Sequence, residues 1–491
     1  MNQHFNFFID FIHNECMGII LAIDCGTTST RVIAFNNAYQ VEHMEQSELP
    51  LQHPHPEWVE HDPTLIWTQT KQCLDATISS IGAKNIQSIG ITNQRETSIA
   101  WQKSTGLALG SAINWQCRRT ASRCAELSAH TELIKQKTGL PLDAYFSASK
   151  FEWHINNTPN VQHLLNHQDL CFGTVDTWLL WKLTQGKSYA TDITNASRTM
   201  LFNISTLTYD AQLCNIFGIP TTSLPKVQPS IGHFGDYVVK DISIPIQGMI
   251  GDQQAALYAQ CGQHQGVIKN TYGTGLFMMA NTGRHIVQTK DLITTIAIGV
   301  GDQVSYAIEG SVFTGGALIQ WLRDGLGIIT SATETQALAE SVDGNAGVTI
   351  IPALTGLGAP HWKPNAKGMI LGLTRNTTKA HIVRAALEAI ALQSNDLIEL
   401  IQNECPAVQF ESVLVDGGAS ANDWLMQLQS DVSNITLSRP ESVEATALGA
   451  AMCAQMGGAQ PSRSTPTIFR PKSDQSSLVS HWKDIVSTFI T

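Results

Sequence analysis

The feature that most constrains this chain is a strand-turn-strand pattern that occurs twice, about half a chain apart. In the first copy, a Gly/Thr turn at residues 24–31 stands between the apolar runs Ile19–Ile23 and Val32–Phe35. In the second copy, a similar turn, Asn270–Gly275, precedes the apolar run Leu276–Met279. Such turns expose backbone N–H groups and hydroxyls without bulky side chains, and these groups bind phosphate oxygens. The pattern predicts two lobes that each present a phosphate-binding turn, and it favours an ATP phosphotransferase.

Length and composition set the broad class. The chain has 491 residues, which exceeds what one hydrophobic core usually supports, so we expect two domains at residues 1–260 and 261–491. Hydrophobic residues make up 43% and charged residues 14%, which is typical of an ordered globular protein. The net charge of −11 argues against nucleic acid or an anionic membrane as partner, but it permits a nucleotide bound by local donors. No apolar run approaches membrane-spanning length.

The ten cysteines are isolated from one another, without any C-x-x-C pair. Isolated cysteines in a large enzyme indicate a reduced, cytoplasmic protein rather than a disulfide framework. Residues 1–16 have apolar residues at helical spacing but neither Lys nor Arg, so they do not resemble a secretion signal. We expect these residues to be an extension before the first strand.

Apolar runs and helical patterns alternate along the chain, which predicts an α/β fold. In the first half we expect strands at Ile86–Ile91 and Phe172–Val175, and helices at Pro63–Ile81 and Thr177–Leu183. The segment Gln228–Pro245 is rich in Gly, Pro and Ser, and we expect a loop there. The other expected elements are strands at Ile244–Ile250, Tyr306–Glu309 and Val413–Val415, and helices at Gly315–Leu326, Ala380–Ile401 and Asn422–Val432.

Two aspartates stand at the ends of predicted strands. Asp24 directly precedes the first Gly/Thr turn, where a carboxylate can hold Mg²⁺ while the turn binds phosphate; a plain hairpin turn is the alternative. Asp252 follows the strand that ends at Ile250 and opens a helical run. It can accept the proton of a substrate hydroxyl that attacks phosphorus, or it can cap the helix. The two roles are compatible.

Charged, aromatic and glycine-rich positions add further candidates. Arg95 and Glu96 offer a donor and an acceptor for the vicinal hydroxyls of a neutral polyol, although an exposed pair without a role is the default interpretation. Trp115 and Phe277 could form apolar walls against a small carbon skeleton, although such aromatic residues more often belong to a core. The turn Asp416–Asn422 lets a nucleotide approach the backbone closely, or it serves a packed helix entry.

Seven segments stand out in order along the chain. They are Asp24–Arg31, Asn93–Thr97, Trp115–Thr120, Gly173–Trp178, Thr194–Met200, Gly251–Gln254 and Asn270–Gly275. Together they resemble the signatures of the glycerol-phosphorylating members of the FGGY family of carbohydrate kinases. The likeness runs from about Met17 to near Pro471, and so many ordered matches are far more specific than any single motif.

The resemblance implies a fold class, a reaction and partners. It implies an α/β fold of two ribonuclease-H-like (actin-like ATPase) lobes with a central cleft, which close over ATP, Mg²⁺ and glycerol. Phosphoryl transfer would give sn-glycerol 3-phosphate and ADP. The implied partners are glycerol and ATP, without nucleic acid or membrane insertion, in a homodimer or homotetramer.

The resemblance also assigns roles by position. Asp252 would be the general base, and Asp24 and Asp252 would lie near the metal. The implied glycerol contacts are Arg95, Glu96, Trp115, Tyr145, Asp252, Gln253 and Phe277. The implied ATP contacts are Thr27, Thr28, Ser29 and Arg31 in the first lobe, and Thr274, Gly315, Gln320, Gly418 and Asn422 in the second.

The chain departs from the family pattern at several places, of which three bear on the site or its regulation. Cys25 replaces the usual Gln of the first turn, and we expect this smaller, oxidisable side chain beside the phosphates to loosen nucleotide binding. Asn114 stands where an apolar residue usually precedes the Trp. Asp241–Ser243 occupies a stretch where some bacterial relatives have a Gly-rich, Arg-ended loop for fructose bisphosphate, so we expect weak or absent inhibition by that sugar.

Two alternatives stay open at this point. The chain could be a kinase of the same fold that acts on another polyol or sugar, such as xylulose. It could also be a non-catalytic, nucleotide-dependent binding or regulatory protein, although the presence of both Asp24 and Asp252 argues against that. Arg95 and Glu96, together with Trp115 and Phe277, favour a small three-carbon substrate.

Overall fold

The computed structural model describes residues 18–361, 363, 365–440, 444–455 and 465–489. The expected extension, residues 1–16, lies outside them. The strands in chain order are β1 (Ile19–Cys25), β2 (Ser29–Phe35), β3 (Val41–Glu48), β4 (Glu60–His61), β5 (Ile86–Asn93), β6 (Ile99–Gln102), β7 (Ala112–Ile113), β8 (Leu170–Gly173), β9 (Ala190–Asp192), β10 (Phe202–Asn203), β11 (Thr208–Tyr209), β12 (Lys226–Gln228), β13 (Ile231–Val239), β14 (Ile242–Gly251), β15 (Val267–Tyr272), β16 (Leu276–Gly283), β17 (Ile293–Val300), β18 (Gln303–Val312), β19 (Thr349–Ile351), β20 (Met369–Leu371), β21 (Ser412–Asp416), β22 (Thr436–Arg439) and β23 (Thr467–Phe469).

The α-helices alternate with these strands as the sequence pattern predicts. In chain order they are α1 (Pro63–Ile81), α2 (Ala121–Glu126), α3 (Thr131–Thr138), α4 (Ser147–Asn157), α5 (Val161–Asn166), α6 (Val175–Leu183), α7 (Ile193–Ala196), α8 (Ala211–Ile216), α9 (Asp252–Cys261), α10 (Gly316–Gln320), α11 (Glu334–Glu340), α12 (Lys379–Glu404), α13 (Asp423–Ser433), α14 (Ala445–Ala454) and α15 (Ser476–Phe489). Within the described ranges, no helix combines the length and apolar character needed to cross a membrane.

The chain folds into two compact units, and neither is continuous in sequence. The first contains the residues up to Gly262 and also Thr295–Ser305 and Glu444–Ser462. The second contains Gln263–Thr294, Tyr306–Val443 and Arg463–Thr491. No feature of the sequence pattern pointed to the two segments that return to the first unit.

The first unit is built on a mixed sheet with the strand order β17-β13-β14-β5-β1-β2-β3. Strands β1, β2 and β3 form an antiparallel meander, and β5 and β14 continue the sheet parallel to β1. Strand β1 is buried along its whole length. Leu21 and Ile23 pack with the α1 side of the sheet, whereas Ile20 and Ala22 pack with α14 on the other side. Burial on both faces explains why β1 is continuously apolar rather than alternating.

Helix α14 approaches this sheet very closely, and glycines in the strands allow it. A Cβ atom on Gly90 of β5 would lie 2.1 Å from the carbonyl oxygen of Ala450. A Cβ atom on Gly248 of β14 would lie 2.7 Å from atoms of Cys453 and Ala454. The alanine-rich composition of α14 and these glycines therefore fit one another, since larger side chains on either partner would clash.

The second unit repeats the arrangement of the first, with the strand order β23-β22-β21-β15-β16-β18. Strands β15, β16 and β18 form an antiparallel meander, and β21 and β22 run parallel to β15. The long helix α12 is buried over most of its length in the core of this unit. In each unit, an antiparallel three-stranded meander is followed in the sheet by two strands parallel to its first strand. This confirms the predicted α/β fold with two similar lobes.

The expected loop at Gln228–Pro245 is wrong, because this segment forms the antiparallel hairpin of β13 and β14. Phe234 and Tyr237 are buried, and the intervening Gly, Pro and Ser residues obscured that pattern in the sequence. Lys240 and Asp241 form the tight turn with φ angles of 46° and 66°, as two-residue turns with left-handed positions require.

At two other places the predicted type of structure is wrong over part of the segment, whereas the remaining boundaries differ by a few residues at most. The predicted strand Phe172–Val175 is too long, because β8 ends at Gly173 and Val175 begins α6. The predicted helix Gly315–Leu326 is α-helical only over α10 and continues as a π-helical turn, Trp321–Gly325. Apolar periodicity alone does not distinguish the end of a strand from the start of a helix, or an α-helix from a π-helical turn.

Candidate functional site

Asp24 and Arg31 face each other across the first Gly/Thr turn, because β1 and β2 pair these two residues directly. Their side chains form an ion pair, and the second nitrogen of Arg31, Nη1, lies 2.6 Å from Glu444 Oε2. Burial raises the pKa of Asp24, while the charge of Arg31 opposes that shift. Arg31, predicted to contact ATP, is thus shared between two carboxylates of its own unit.

The turn between β1 and β2 is closed by a hydrogen bond from Gly26 N to Ser29 O over 2.9 Å. Thr28 is exposed, and Thr27 and Ser29 are half-buried, so the predicted phosphate donors are accessible. Cys25 is instead fully buried in the first-unit core, and burial raises the pKa of its thiol to about 12. The structure therefore does not support the expectation of an oxidisable side chain beside the phosphates.

Arg95 and Asp252 join the ends of β5 and β14, which lie side by side with Asn93 opposite Gly251. Arg95 Nε lies 3.1 Å from Asp252 Oδ1, and Arg95 Nη1 donates to Gln254 Oε1 over 3.2 Å. The Arg95 guanidinium is almost completely buried, whereas the Asp252 side chain is 30% exposed. The buried Arg95 therefore holds the carboxylate of Asp252, which remains accessible to solvent.

Asp252 is not the N-cap that the alternative interpretation supposed. Gly251 is the N-cap of α9, and Asp252 is the first helical residue. Its Oδ1 accepts the backbone N–H of Gln253 over 2.7 Å. A carboxylate in the first turn of a helix interacts favourably with the exposed N–H groups there. The predicted glycerol contact Gln253 thus lies directly beside the predicted base.

Glu96 is buried rather than exposed, so the default interpretation of an exposed Arg-Glu pair is wrong. Its carboxylate accepts from Arg198 Nε over 2.5 Å, and its backbone has a left-handed φ of 60°. The carbonyl oxygen of Glu96 accepts from Ser147 Oγ over 3.1 Å and from Lys150 Nζ over 3.4 Å. Burial lowers the pKa of Lys150 to about 8. Several buried donors thus fix Glu96 in place.

Trp115 and Tyr145 are both half-buried, so neither is an ordinary core residue. Their rings meet edge to face with centroids 5.5 Å apart. The indole nitrogen of Trp115 donates to Thr27 Oγ1 over 3.0 Å. The guanidinium of Arg198 lies 5.7 Å from the Tyr145 ring centroid. These contacts, with the Arg198–Glu96 pair, connect the predicted phosphate turn to the predicted glycerol residues of the first unit.

Sequence reasoning missed three residues of this cluster. Arg198 and Lys150 are fully buried charged residues, and Gln254 is a buried amide bonded to Arg95. Arg198 lies in the family-like segment Thr194–Met200, which was the only available signal for it. Burial of a charge cannot be read from one sequence, because it depends on partners far away along the chain.

In the second unit, the predicted ATP residues Thr274, Gly315 and Gly418 come from three turns that converge. Gly315 N donates to Thr274 O over 2.8 Å, which places the β15–β16 turn against the start of α10. A Cβ atom on Gly417, whose φ is 86°, would lie 2.6 Å from the carbonyl oxygen of Tyr272. Only glycine fits there, so the turn after β21 lies close to the end of β15.

The remaining second-unit candidates lie near these turns with differing exposure. Asn422 caps α13, accepting from Leu425 N over 2.9 Å and donating to Thr335 Oγ1 over 3.1 Å. Gln320 is exposed at the end of α10. Phe277 is half-buried near the start of β16, directly after the Thr274 turn. Of these, Gln320 has the side chain most open to a ligand.

The carboxylates of the first unit suit a divalent metal that is bound together with a nucleotide. Among the residues that the structure describes, no group of three or more His, Cys, Asp or Glu side chains could form a protein-only metal site. Asp24 lies at the carboxyl end of β1, Asp252 directly follows β14, and β5 runs between these two strands. Mg²⁺ commonly binds through one or two carboxylates together with substrate phosphates and water. The donor set therefore suits a metal that arrives with a nucleotide.

Comparison with known proteins gives a consistent result. Residues 19–259 match the N-terminal domain of the FGGY family of carbohydrate kinases, and residues 268–458 match its C-terminal domain. A glycerol kinase from Shewanella frigidimarina is 49% identical over 440 residues, covering 89% of this chain and 88% of that protein. The crystal structure of Plasmodium falciparum glycerol kinase with ADP superimposes with a TM-score of 0.92 at 35% identity, covering 97% and 99% of the two chains.

More distant structures share the fold alone. A ligand-bound xylulose kinase from Lactobacillus acidophilus superimposes with a TM-score of 0.83 at 19% identity, covering 96% of this chain and 98% of that one. The fold is therefore common to kinases that act on different sugars, and the residues of the site must decide the substrate.

Proposed function

The chain belongs to the FGGY family of carbohydrate kinases, and we propose that it transfers the γ-phosphoryl group of ATP to glycerol. The products are sn-glycerol 3-phosphate and ADP. The observation that carries the proposal is the buried Arg95 paired with the accessible Asp252 at the ends of β5 and β14. This arrangement presents a fixed carboxylate to a substrate hydroxyl.

Asp252 acts as the general base. Its Oδ1 is held by the guanidinium of Arg95 and by the backbone N–H of Gln253, so the orientation of the carboxylate is fixed before substrate binds. The carboxylate accepts the hydroxyl proton as that oxygen attacks the γ-phosphorus. Phosphoryl transfer needs little covalent help, so most of the acceleration comes from positioning and charge stabilisation.

The predicted glycerol residues suit a short polyol. Arg95 and Glu96 offer a donor and an acceptor to neighbouring hydroxyls, and Gln253 adds an amide beside the base. Trp115 and Tyr145 present half-buried ring surfaces that suit the carbon skeleton. The family resemblance also assigns Phe277 to glycerol as an apolar residue. These assignments for glycerol rest on the family resemblance together with the contacts among the first-unit residues.

The nucleotide contacts come from glycine- and threonine-rich turns. Thr27, Thr28 and Ser29 supply hydroxyls and N–H groups to phosphate oxygens, and Thr274 supplies the equivalent group in the second unit. Gly418 leaves room for the nucleotide to approach the backbone, since a Cβ atom there would meet open space. Gly315 is assigned to the nucleotide by the resemblance, and Gln320 and Asn422 supply amides. Arg31 contributes by holding Asp24.

Asp24 and Asp252 are the residues that would hold Mg²⁺. Mg²⁺ bound there with the nucleotide would neutralise phosphate charge. We also propose that residues 1–260 and 261–491 act as the two functional lobes, except that the segments Thr295–Ser305 and Glu444–Ser462 belong to the first. We further propose that the protein works in the cytoplasm as a homodimer or homotetramer.

The test is coupled detection of ADP with glycerol and a panel of competing polyols and sugars, including xylulose. We expect glycerol to give the highest kcat/KM. A preference for xylulose would show that the protein is a kinase for another sugar. Absence of any glycerol-dependent ADP release, with nucleotide still bound, would instead support a non-catalytic binding protein.

A further inference from the structure

A chain of buried polar side chains connects the Gly26–Thr27 turn to the loop that carries Trp115. Its centre is Gln94, which follows β5 and is fully buried. Gln94 Nε2 donates to the carbonyl oxygen of Gly26 over 3.0 Å, and Gln94 Oε1 accepts from Thr97 Oγ1 over 2.9 Å. Thr97 Oγ1 accepts in turn from the backbone N–H of Trp115 over 3.2 Å. A continuous hydrogen-bonded path therefore joins the two segments.

His61 Nε2 lies where two side-chain amides of this cluster meet. Gln94 Nε2 is 3.2 Å away and Asn114 Nδ2 is 3.1 Å away. The orientation of both amides is fixed, because the carbonyl of Gly26 can only accept and Asn114 Oδ1 takes the N–H of Gln116 over 2.9 Å. Both amides therefore point their NH₂ groups at His61, and Nε2 must be an unprotonated acceptor.

The other side of the imidazole leads to the same conclusion. Interaction with the backbone of Pro50 favours a protonated ring nitrogen, and because proline has no N–H, its carbonyl can only accept a hydrogen bond from the ring. His61 Nδ1 therefore carries the proton. The ring is buried, and this burial lowers the pKa of His61 to about 4. One neutral tautomer satisfies all three partners at pH 7.

These bonds determine where the donors of Thr27 point. In a trans peptide, the carbonyl of Gly26 and the N–H of Thr27 point in opposite directions. Because Gln94 holds that carbonyl on the buried side, the N–H of Thr27 points away from it. The indole N–H of Trp115 occupies an acceptor position on Thr27 Oγ1, so the hydroxyl proton of Thr27 is directed to another acceptor. The backbone N–H and the hydroxyl group of Thr27 are thereby oriented before a ligand binds.

We propose that His61 is a positioning residue, whose neutral imidazole holds Gln94 and Asn114 in the one orientation that aims the donors of Thr27 at a nucleotide phosphate and keeps Trp115 in place. The choice of nucleotide and glycerol as ligands rests on the proposed function. The role of His61 is indirect, since its three partners are protein groups. Asn114, which departs from the family pattern, takes part in this cluster as a donor.

The test compares three variants of the full-length protein. His61→Met keeps the approximate length of the side chain but removes the acceptor, whereas His61→Gln returns an acceptor oxygen near the position of Nε2. His154→Met is the matched control, because His154 is also buried in the first unit with a pKa lowered to about 4, yet it bonds Thr158 instead. The readouts are the Kd for ADP measured without glycerol, the KM for ATP, kcat and the melting temperature.

We expect His61→Met to raise the Kd for ADP and the KM for ATP about tenfold, and His61→Gln to return both to within about threefold of wild type. His154→Met should lower the melting temperature while leaving both constants within about twofold. Unchanged constants in His61→Met, or an equal shift in His154→Met, would overturn the proposal.

A measurement on the wild-type protein covers the case in which His61→Met does not fold. Nitrogen-15 NMR of the histidine rings distinguishes the two neutral tautomers, and we expect His61 to carry its proton on Nδ1. A proton on Nε2 would overturn the proposal. Because the ADP measurement needs no turnover, a wild type that binds ADP but does not phosphorylate glycerol would contradict the proposed function and leave the role of His61 testable.

Discussion

Arg95 Nε lies 3.1 Å from Asp252 Oδ1, and this contact joins the ends of two neighbouring parallel strands. The relationship is asymmetric, because the cation is almost fully buried while the carboxylate stays accessible. A buried guanidinium cannot easily reorient, so Asp252 has a fixed direction without being sealed from ligands. A general base in a phosphoryl transfer needs this combination of rigidity and access.

Asp252→Asn keeps the shape of the side chain but removes its ability to take a proton. We expect kcat for glycerol phosphorylation to fall about 10²- to 10⁴-fold, while the Kd for glycerol changes by less than about fivefold. A coupled ADP assay gives kcat, and calorimetry gives the Kd. Asp236→Asn, at a half-exposed position on β13 of the same unit, is the control and should leave kcat unchanged. Near-normal turnover in Asp252→Asn would remove its assigned role.

Arg198→Met leaves the buried carboxylate of Glu96 without its closest cation. We expect the free energy of unfolding to fall by about 3–5 kcal/mol, because Glu96 is then left with Arg95, whose Nε lies 4.0 Å from Oε1, and a poorly compensated buried charge is costly. Denaturant titration measures the change. The comparison is Arg123→Met, which breaks a partly exposed pair with Glu152 and should cost at most about 1 kcal/mol. If the free energy of unfolding fell equally in the two variants, the buried Arg198–Glu96 pair would contribute no more to stability than the partly exposed pair.

Two buried histidines make the protein sensitive to mild acid. Burial lowers the pKa of both His61 and His154 to about 4, whereas the unfolded chain titrates near the ordinary value of 6.5. Between these values the unfolded state binds more protons, so stability falls as the pH drops below about 6.5. Each histidine contributes a slope of up to about 1.4 kcal/mol per pH unit.

His154→Phe tests this directly, since it removes one titrating group outside the candidate site. The free energy of unfolding should depend less steeply on pH between about 6.5 and 4 than in the wild type, by roughly the slope of one histidine. Denaturant titrations at several pH values measure it. Parallel curves for variant and wild type would contradict the assigned pKa.

The described cysteines should resist thiol reagents in the folded protein. All nine are buried, and burial raises the pKa of Cys25 to about 12, so almost no thiolate is present. We expect a Cys16→Ser variant to show no rapid reaction with a colorimetric disulfide reagent until denaturant is added. Rapid labelling of Cys25, located by mass spectrometry, would contradict its position in the core.

Fructose bisphosphate should inhibit the protein weakly or not at all. The relevant stretch is the tight hairpin of β13 and β14, whose two-residue turn, Lys240-Asp241, is neither glycine-rich nor followed by Arg. A sugar with two phosphates therefore meets no Gly-rich, Arg-ended loop there. Initial rates with glycerol over a range of bisphosphate concentrations measure the effect, and clear inhibition at physiological concentrations would contradict it.

The local patterns of the sequence predicted much of the fold. The β1–β2 and β15–β16 turns, helix α1 and the end of β14 before Asp252 all follow from short-range periodicity and turn composition. The hairpin at Gln228–Pro245 did not, because its alternation of buried residues is interrupted by Gly, Pro and Ser. Propensity in that segment favours a loop, and the pairing of β14 with β5 overrides it.

The candidate site was predictable where adjacent residues carry the chemistry and less so where distant ones meet. Asp24, Arg95 and Asp252 stand at strand ends that the pattern located. Arg198 and His61 act through partners remote in sequence, so nothing near them indicates their burial or protonation. Their contacts depend on how strands from different parts of the chain assemble, and local sequence periodicity does not predict that assembly.

Helix α14 closes one face of the first-unit sheet, although it is synthesised almost two hundred residues after β14. A ribosome must therefore release most of the second unit before the nascent first unit receives this cover. Until then, Gly90, Gly248 and their apolar neighbours present an open surface to chaperones and to other unfinished chains. A truncation after Gly262 would leave that surface permanently bare, and it should accumulate as insoluble protein.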